Sequence, residues 1–188
     1  MFELYRNYER EIHGRENRST SFCHRHICRS PAYDPDDPAD DHLKNREAPE
    51  DFTEVDEGRD FVEEPIYPGR GAFHCYHRID GKLVAVGVLD ITEKMVNSKY
   101  FLYDTSYAQL YLGVVGAIHE IEYTKMLQKQ YAPKIELYQL GDLVLGCPKV
   151  NYKLNYKPGL VSCLRTKKRL RYEDVKEKME KYSKMPQA

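Results

Sequence analysis

The sequence predicts an α/β fold, and three observations carry it. Strand-like runs at residues 72–79, 82–91 and 99–104 follow one another closely. The apolar period then lengthens to that of a helix across "AQLYLGVVGAIHEIEYTKMLQKQY", and "KIELYQL" (134–140) returns to a strand. A strand that comes back after a helix reaches its sheet by a crossover and lies beside an earlier strand.

The elements can be taken in order. "FELYRNYEREIHG" places Phe2, Leu4, Tyr5, Tyr8 and Ile12 at helical spacing and ends at Gly14, a suitable C-cap. "STSFCHRHICRSPAY" predicts a second short helix, opened by Ser19 or Thr20 and stopped by Pro31. Its "CHRHIC" carries thiols and imidazoles, but a five-residue offset on a helix separates the sulfurs by about 140°, and the spacing fits no common zinc site. Residues 1–32 form a helical N-terminal piece.

Residues 33–65 read as an acidic, disordered insertion, with 14 acids against 3 bases over 34–64, several prolines and few aliphatics. The main domain is expected from 66 to 160. Asp80-Gly81 joins its first two strands and suits a two-residue hairpin turn. In the long helix, Leu110, Val114, Ile118, Ile121 and Leu127 suggest the buried stripe, and Thr105 or Ser106 the cap. Residues 161–188 form a basic tail with a short helix at 172–182; from 149 onward there are 12 bases against 4 acids.

The 188 residues suffice for one domain with a full core. A 31% share of charged residues and a mean hydropathy of −0.72 show that much of the chain is solvated. No apolar run approaches the roughly 20 residues of a membrane span, and the opening residues lack the apolar region of a secretory signal. Five scattered cysteines do not form a secreted disulfide pattern. The expectation is a soluble protein of the cytoplasm or nucleus, with no membrane partner.

"FELY" with "IHG", "FCHRHICRSP", "GAFHCYHRIDGKLVAVGVLDI", "YFLYD", "LYLGVVGAIHEIEYTK" and "CPKVNYKLNYKP" occur in this order over most of residues 2–158. Together they resemble the C-terminal half of the arginyl-tRNA–protein transferases. The resemblance implies a GNAT-like mixed sheet flanked by helices, used without acetyl-CoA, with arginyl-tRNA as co-substrate and no cofactor or metal. An acetyl-CoA loop would want a basic residue or Gln three positions before Gly113, where this chain has Leu110. It also implies protein acceptors that begin with Asp or Glu, which arginylation marks for ubiquitin-dependent degradation. Family members carry an upstream cysteine-rich domain, and this chain starts downstream of it. Cys75 stands where a family-like Gln is expected, and Asp142, Leu143 and Val144 where an aromatic-rich strand end is expected. A noncatalytic tRNA- or peptide-binding remnant and a GNAT acetyltransferase are the alternatives.

The implied chemistry is aminolysis of an ester by an α-amine. Such an amine has a pKa near 8, so the site must orient it, stabilise an oxyanion and protonate the leaving hydroxyl more than supply a strong base. Asp90, ending a buried strand, is expected at a cleft beside the start of the long helix, with a simple turn residue as its alternative. Asp104 closes "YFLYD" and is either a second site carboxylate or a helix cap. His74 and Tyr76 share one strand face and can offer proton-transfer groups. Glu120 is a substrate-binding candidate whose alternative is a solvated helix face or a pair with Lys125 or Thr124. Arg70, Lys149 and Lys153 are cations for an acidic acceptor. Tyr152 and Tyr156, interleaved with bases, suit stacking and phosphate pairing with RNA, and "RTKKRLR" (165–171) can add phosphate contacts.

Overall fold

The computed structural model describes residues 1–16, 19–23, 27, 69–145, 147, 150, 152–156, 159–163 and 165–183. Two compact units divide the chain, Met1–Leu140 and Gly141–Ala188.

In the first unit, helix α1 (Phe2–His13) ends at Gly14, whose positive φ of 64° lets its N–H turn back to Arg10 O. Helix α2 (Thr20–Cys23) starts at Ser19, where Oγ accepts the Phe22 N–H. Four strands follow in the spatial order β1-β2-β3-β4: β1 Gly71–Ile79, β2 Lys82–Ile91, β3 Met95–Tyr103 and β4 Leu137–Gln139. The first three are antiparallel neighbours. Asp80 and Gly81 both have positive φ, 50° and 80°, as a type I′ turn requires. Helix α3 (Leu112–Gln130) is the crossover that returns β4 parallel to β3. This mixed α/β sheet is compatible with the GNAT-like architecture.

Because side chains alternate along a strand, the sheet has two distinct faces. Val86, Val88, Tyr100 and Leu102 pack with Tyr5, Tyr8, Cys23 and Ile27 on the α1 side. Leu89, Ile91 and Val96 pack with Leu127 and Ile135 on the α3 side.

Two expectations are corrected here. The residues α3 buries are Leu112, Gly116, Ala117, Glu120, Thr124 and Leu127, while Leu110, Val114 and Ile118 are exposed. The reason is the close approach of helix and sheet. A Cβ on Gly116 would overlap the Phe101 ring, and one on Gly87 would lie 2.6 Å from Glu120 Oε1. Small residues, rather than the longest apolar ones, therefore mark the inner face. Nor do Thr105 and Ser106 cap α3. Asp104 caps a 3-10 helix, Thr105–Leu110, and α3 begins only after Tyr111, at φ 50°.

In the second unit, a 3-10 turn (Tyr152–Asn155) precedes the hairpin of β5 (Leu160–Ser162) and β6 (Arg169–Arg171) and helix α4 (Tyr172–Ser183). The unit begins at Gly141, so Tyr152, Lys153 and Tyr156 fall outside the compact body that holds the four-stranded sheet.

Candidate active site

The strongest feature of the first unit is a fork in the sheet. β3 pairs with β4 only through Met95↔Leu137, Val96↔Tyr138 and Asn97↔Gln139. Beyond Asn97 the two parallel strands have no further pairing, and Glu120 of α3 lies at this point. Its Oε2 accepts the Tyr138 hydroxyl at 2.7 Å from one strand, and its carboxylate accepts a side-chain hydrogen bond from Ser98 of the other. Its Oε1 is buried against Gly87 without a hydrogen-bond partner among the described residues. Burial drives its pKa up, and the bonds from Tyr138 and Ser98 only partly oppose this. At 2% exposure Glu120 is neither on a solvated face nor paired with Lys125, which bridges to Glu122 instead. The Thr124 hydroxyl bonds the Glu120 backbone carbonyl.

Around Glu120 lie groups that the sequence reading passed over. Cys75 is adjacent to Gly87 across β1, and burial, then the Glu120 charge, raises its thiol pKa. His77, two residues on and facing the same side, stacks on His119 with ring centroids 5.6 Å apart. Burial, then His119, lowers the His77 pKa and keeps the imidazole neutral at neutral pH. The signal available in the sequence was strand parity: a glycine at 87 and small residues in α3 mark the odd-numbered side chains of β1 as the helix-facing set.

His74, Tyr76 and Asp90 occupy the opposite face. His74 Nε2 lies 3.1 Å from Ile27 O, and burial outweighs that bond to lower its pKa, with Lys99 adding to the effect. Tyr76 is partly exposed, with its hydroxyl 3.9 Å from Met1 Sδ. Asp90 is 4% exposed, lies between Ala72 and Asn97, and has one carboxylate oxygen unpartnered among the described residues.

The expected position of Asp90 beside the start of the long helix is corrected by the antiparallel order. The end of β2 meets the beginning of β3, whereas α3 follows the end of β3. Asp104 N–H bonds Val84 O, and Asp90 lies six residues further along β2, about 20 Å at the usual strand rise. Arg70, directly before β1, shares the Asp90 end; there the Lys134 bond chiefly, and the Arg70 charge to a smaller extent, lower the pKa of Glu93. At the other end Asp104 accepts from Ser106 N at 3.0 Å, Ser106 Oγ at 2.6 Å and Lys82 Nζ at 3.0 Å. These bonds hold its carboxyl below the ordinary range, Ser106 contributing most and then Lys82. They fit the cap reading.

Lys149 lies outside the described residues. In the second unit Lys153 Nζ donates to Asp142 O at 2.7 Å, and burial lowers its pKa against the pull of Asp142. Tyr152 and Tyr156 meet edge to face at 6.4 Å. Among the described residues no group of three or more His, Cys, Asp or Glu is placed to hold a metal ion, and no helix is long and apolar enough to cross a membrane.

Residues 1–163 match the family described as "Arginine-tRNA-protein transferase, C terminus". The chain belongs to this family. It is 32% identical over 174 residues to arginyl-tRNA–protein transferase 1 of Drosophila melanogaster, covering 93% of this chain and 31% of the relative. With arginyl-tRNA–protein transferase 2 of Arabidopsis thaliana it shares 32% identity over 163 residues, 86% of this chain and 24% of the relative. A 99-residue stretch is 43% identical to arginyl-tRNA–protein transferase 1 of Dictyostelium discoideum, covering 53% of this chain and 16% of the relative. The chain thus spans less than a third of the length of each of these transferases. For this family member the fork, α3 and both faces of the sheet all fall inside the matched residues.

Proposed function

We propose that this chain carries the transferase fold of an enzyme that moves arginine from arginyl-tRNA to the α-amino group of proteins beginning with Asp or Glu. The transfer marks those proteins for ubiquitin-dependent degradation in the cytoplasm or nucleus. The observation that carries this reading is the family match, which runs unbroken through the fork and its buried carboxylate.

In the proposed reaction the neutral amine attacks the carbonyl carbon that joins arginine to the terminal ribose. A C–N bond forms, the ester C–O bond breaks, the amine gives up a proton and the ribose oxygen takes one. The ester is already activated and an α-amine is partly neutral near pH 7, so placement matters more than base strength and no cofactor enters. Glu120 fits this by fixing the Tyr138 and Ser98 side chains of the two diverging strands in one orientation. His77, whose pKa burial and then His119 lower, presents a neutral imidazole on the same side of the sheet that can accept the amine proton. The imidazole of His74 is neutral too, but it faces α1 and is tied to the backbone at Ile27.

Transfer of labelled arginine from arginyl-tRNA to a peptide beginning with Asp, against the same peptide beginning with Val, tests the reading. Labelling confined to the Asp peptide is the expected result. A folded chain that binds tRNA and labels neither peptide would overturn catalysis by this chain and favour a binding module.

A further inference from the structure

We propose that the β5–β6 hairpin of the second unit is an RNA-binding ribbon that holds the tRNA co-substrate by its phosphates. That the RNA is this tRNA rests on the transferase reading above. The cations of the hairpin lie beyond the family match, which ends at residue 163. From Leu143 to Tyr172 the chain has eight Lys and Arg and not one Asp or Glu. Four of the eight, Arg165, Lys167, Lys168 and Arg169, crowd the turn and the start of β6, are exposed, and enter no ion pair among the described residues. Helix α4 shows the ordinary alternative, a surface of mixed sign. There Lys176 bridges to Glu173, and Asp174 takes Arg171 from the end of β6. The hairpin gathers one sign only, and like charges so close repel until an anion arrives.

The turn is tied to itself. Cys163 N–H bonds Lys168 O at 2.9 Å, Lys167 N–H bonds Cys163 O at 2.8 Å, and Thr166 and Arg165 hydrogen-bond the Cys163 sulfur. Lys167 takes a φ of 57°, uncommon for a residue with a side chain, and these closing bonds keep it there. The cations are thereby set out before a partner arrives, which lowers the ordering cost of binding.

Their placement selects the partner. Strand alternation puts Arg169 and Arg171 on one side of the ribbon, about 7 Å apart at the usual rise, and Leu170 on the other. Lys168, whose carbonyl continues the ladder, falls on the Leu170 side. Leu160 pairs with Arg171 and shares its side, so the two exposed leucines face apart and no apolar face forms. A bilayer presents one plane of charge and favours an apolar face turned toward it. Nucleic acid carries phosphates at regular steps along each strand, and a ribbon charged on both sides can meet two strands of a stem at once. Contacts of this kind position an RNA without reading its bases.

The test uses the full chain and fluorescence anisotropy of uncharged tRNA and of an unrelated stem-loop RNA, with Arg165→Gln, Lys167→Gln, Lys168→Gln and Arg169→Gln combined. Each phosphate contact adds about 0.9 to the slope of log affinity against log salt, so the gap between parent and variant should narrow about 100-fold between roughly 50 and 200 mM salt. The same narrowing is expected for both RNAs. Equal slopes in the parent and a variant shown by circular dichroism to be folded overturn the proposal, as does an effect confined to one RNA. The charge-conserving set Arg165→Lys, Lys167→Arg, Lys168→Arg and Arg169→Lys should keep the parent slope, and its loss there overturns phosphate pairing. Bound tRNA should slow iodoacetamide alkylation of Cys163, whose pKa Thr166 chiefly holds down to about 7; an unslowed rate at saturating tRNA overturns the placement. Tighter binding to anionic vesicles than to RNA, lost in the Gln variant, overturns RNA as the partner.

Transfer assays separate this proposal from the transferase reading. The Gln variant should raise KM for arginyl-tRNA and leave kcat unchanged. RNA binding through the hairpin without transfer by the parent chain sinks the enzyme reading and leaves the ribbon standing. Transfer with KM and salt slope unchanged in the variant does the reverse, and neither binding nor transfer removes both.

Discussion

The two faces of the sheet each bury a glutamate, and they treat it in opposite ways. Glu9 on the α1 side is 1% exposed, and burial pushes its pKa up. The Tyr100 hydroxyl, Arg15 and His13 together outweigh that push, so the carboxyl ends below its ordinary value. Glu120 on the α3 side has two hydroxyl donors and no cation among its partners, and burial wins. Loss of water alone therefore does not set the sign; the number and charge of the partners decide it. Glu9 also has a wetter setting, since Arg15 is half exposed. Glu9 is a satisfied clamp between helix and sheet. Glu120 keeps an oxygen without a partner among the described residues at the place where two strands part.

The comparison can be broken most severely on the α3 side. Gly116→Ala forces a methyl group into the Phe101 ring and should cost about 3 kcal/mol as helix and sheet are pushed apart. Denaturant unfolding would show it as a lower midpoint; an unchanged midpoint would mean that α3 does not approach the sheet as described. Next in size is Tyr100→Phe on the α1 side, which removes a donor from Glu9 and should cost about 2 kcal/mol. NMR titration should show the Glu9 pKa rising in that variant.

A smaller effect sharpens the contrast by sign. The folded pKa of Glu9 is depressed, so its contribution is present above its unfolded value of 4.5 and lost as the pH falls through the folded pKa. For Glu120 the folded pKa is raised, so its contribution is present below 4.5 and lost as the pH rises through the folded pKa. At pH 7 Glu9→Gln should destabilise the protein, whereas Glu120→Gln, which keeps an acceptor for Tyr138, should not. Thermal melts of both variants between pH 4 and pH 7 check this, and equal losses at pH 7 would erase the distinction.

Smallest is a histidine effect that both faces share. His74 and His77 have folded pKa values below 6.5, so the unfolded chain protonates first as the pH drops. Their stabilisation is complete above pH 6.5 and declines as the pH falls through the folded values. Replacing either histidine with Phe should flatten the stability curve just below pH 6.5, and a curve identical to that of the parent chain would refute it.

Much of this molecule was legible in the chain itself. Local chemistry at Gly14, Ser19 and Asp80-Gly81 located a helix end, a helix start and a hairpin turn, because caps and tight turns depend on a few neighbouring residues. The β-β-β-α-β order gave the mixed sheet, and the ordered motifs led to the family. The site was harder to read. Asp90 looked like a cleft residue until the antiparallel register put it at the far end of β2 from Asp104. His74 stood out where His77, three residues on, faces α3. The stripe Leu110, Val114 and Ile118 was read as buried because apolar spacing cannot reveal how closely a helix approaches its sheet.

By itself the sequence determined the order of the main strands and helices of the first unit, and the family to which they belong, since these follow from local capping, periodicity and the order of short motifs. Tertiary structure alone decided which side of each strand faces α3, where β3 and β4 part, and that Glu120 reaches the parting from the α3 face while Asp90 sits beside Asn97 on the opposite face. Those facts depend on register and on close packing at Gly87 and Gly116, which are set by residues far apart in the chain.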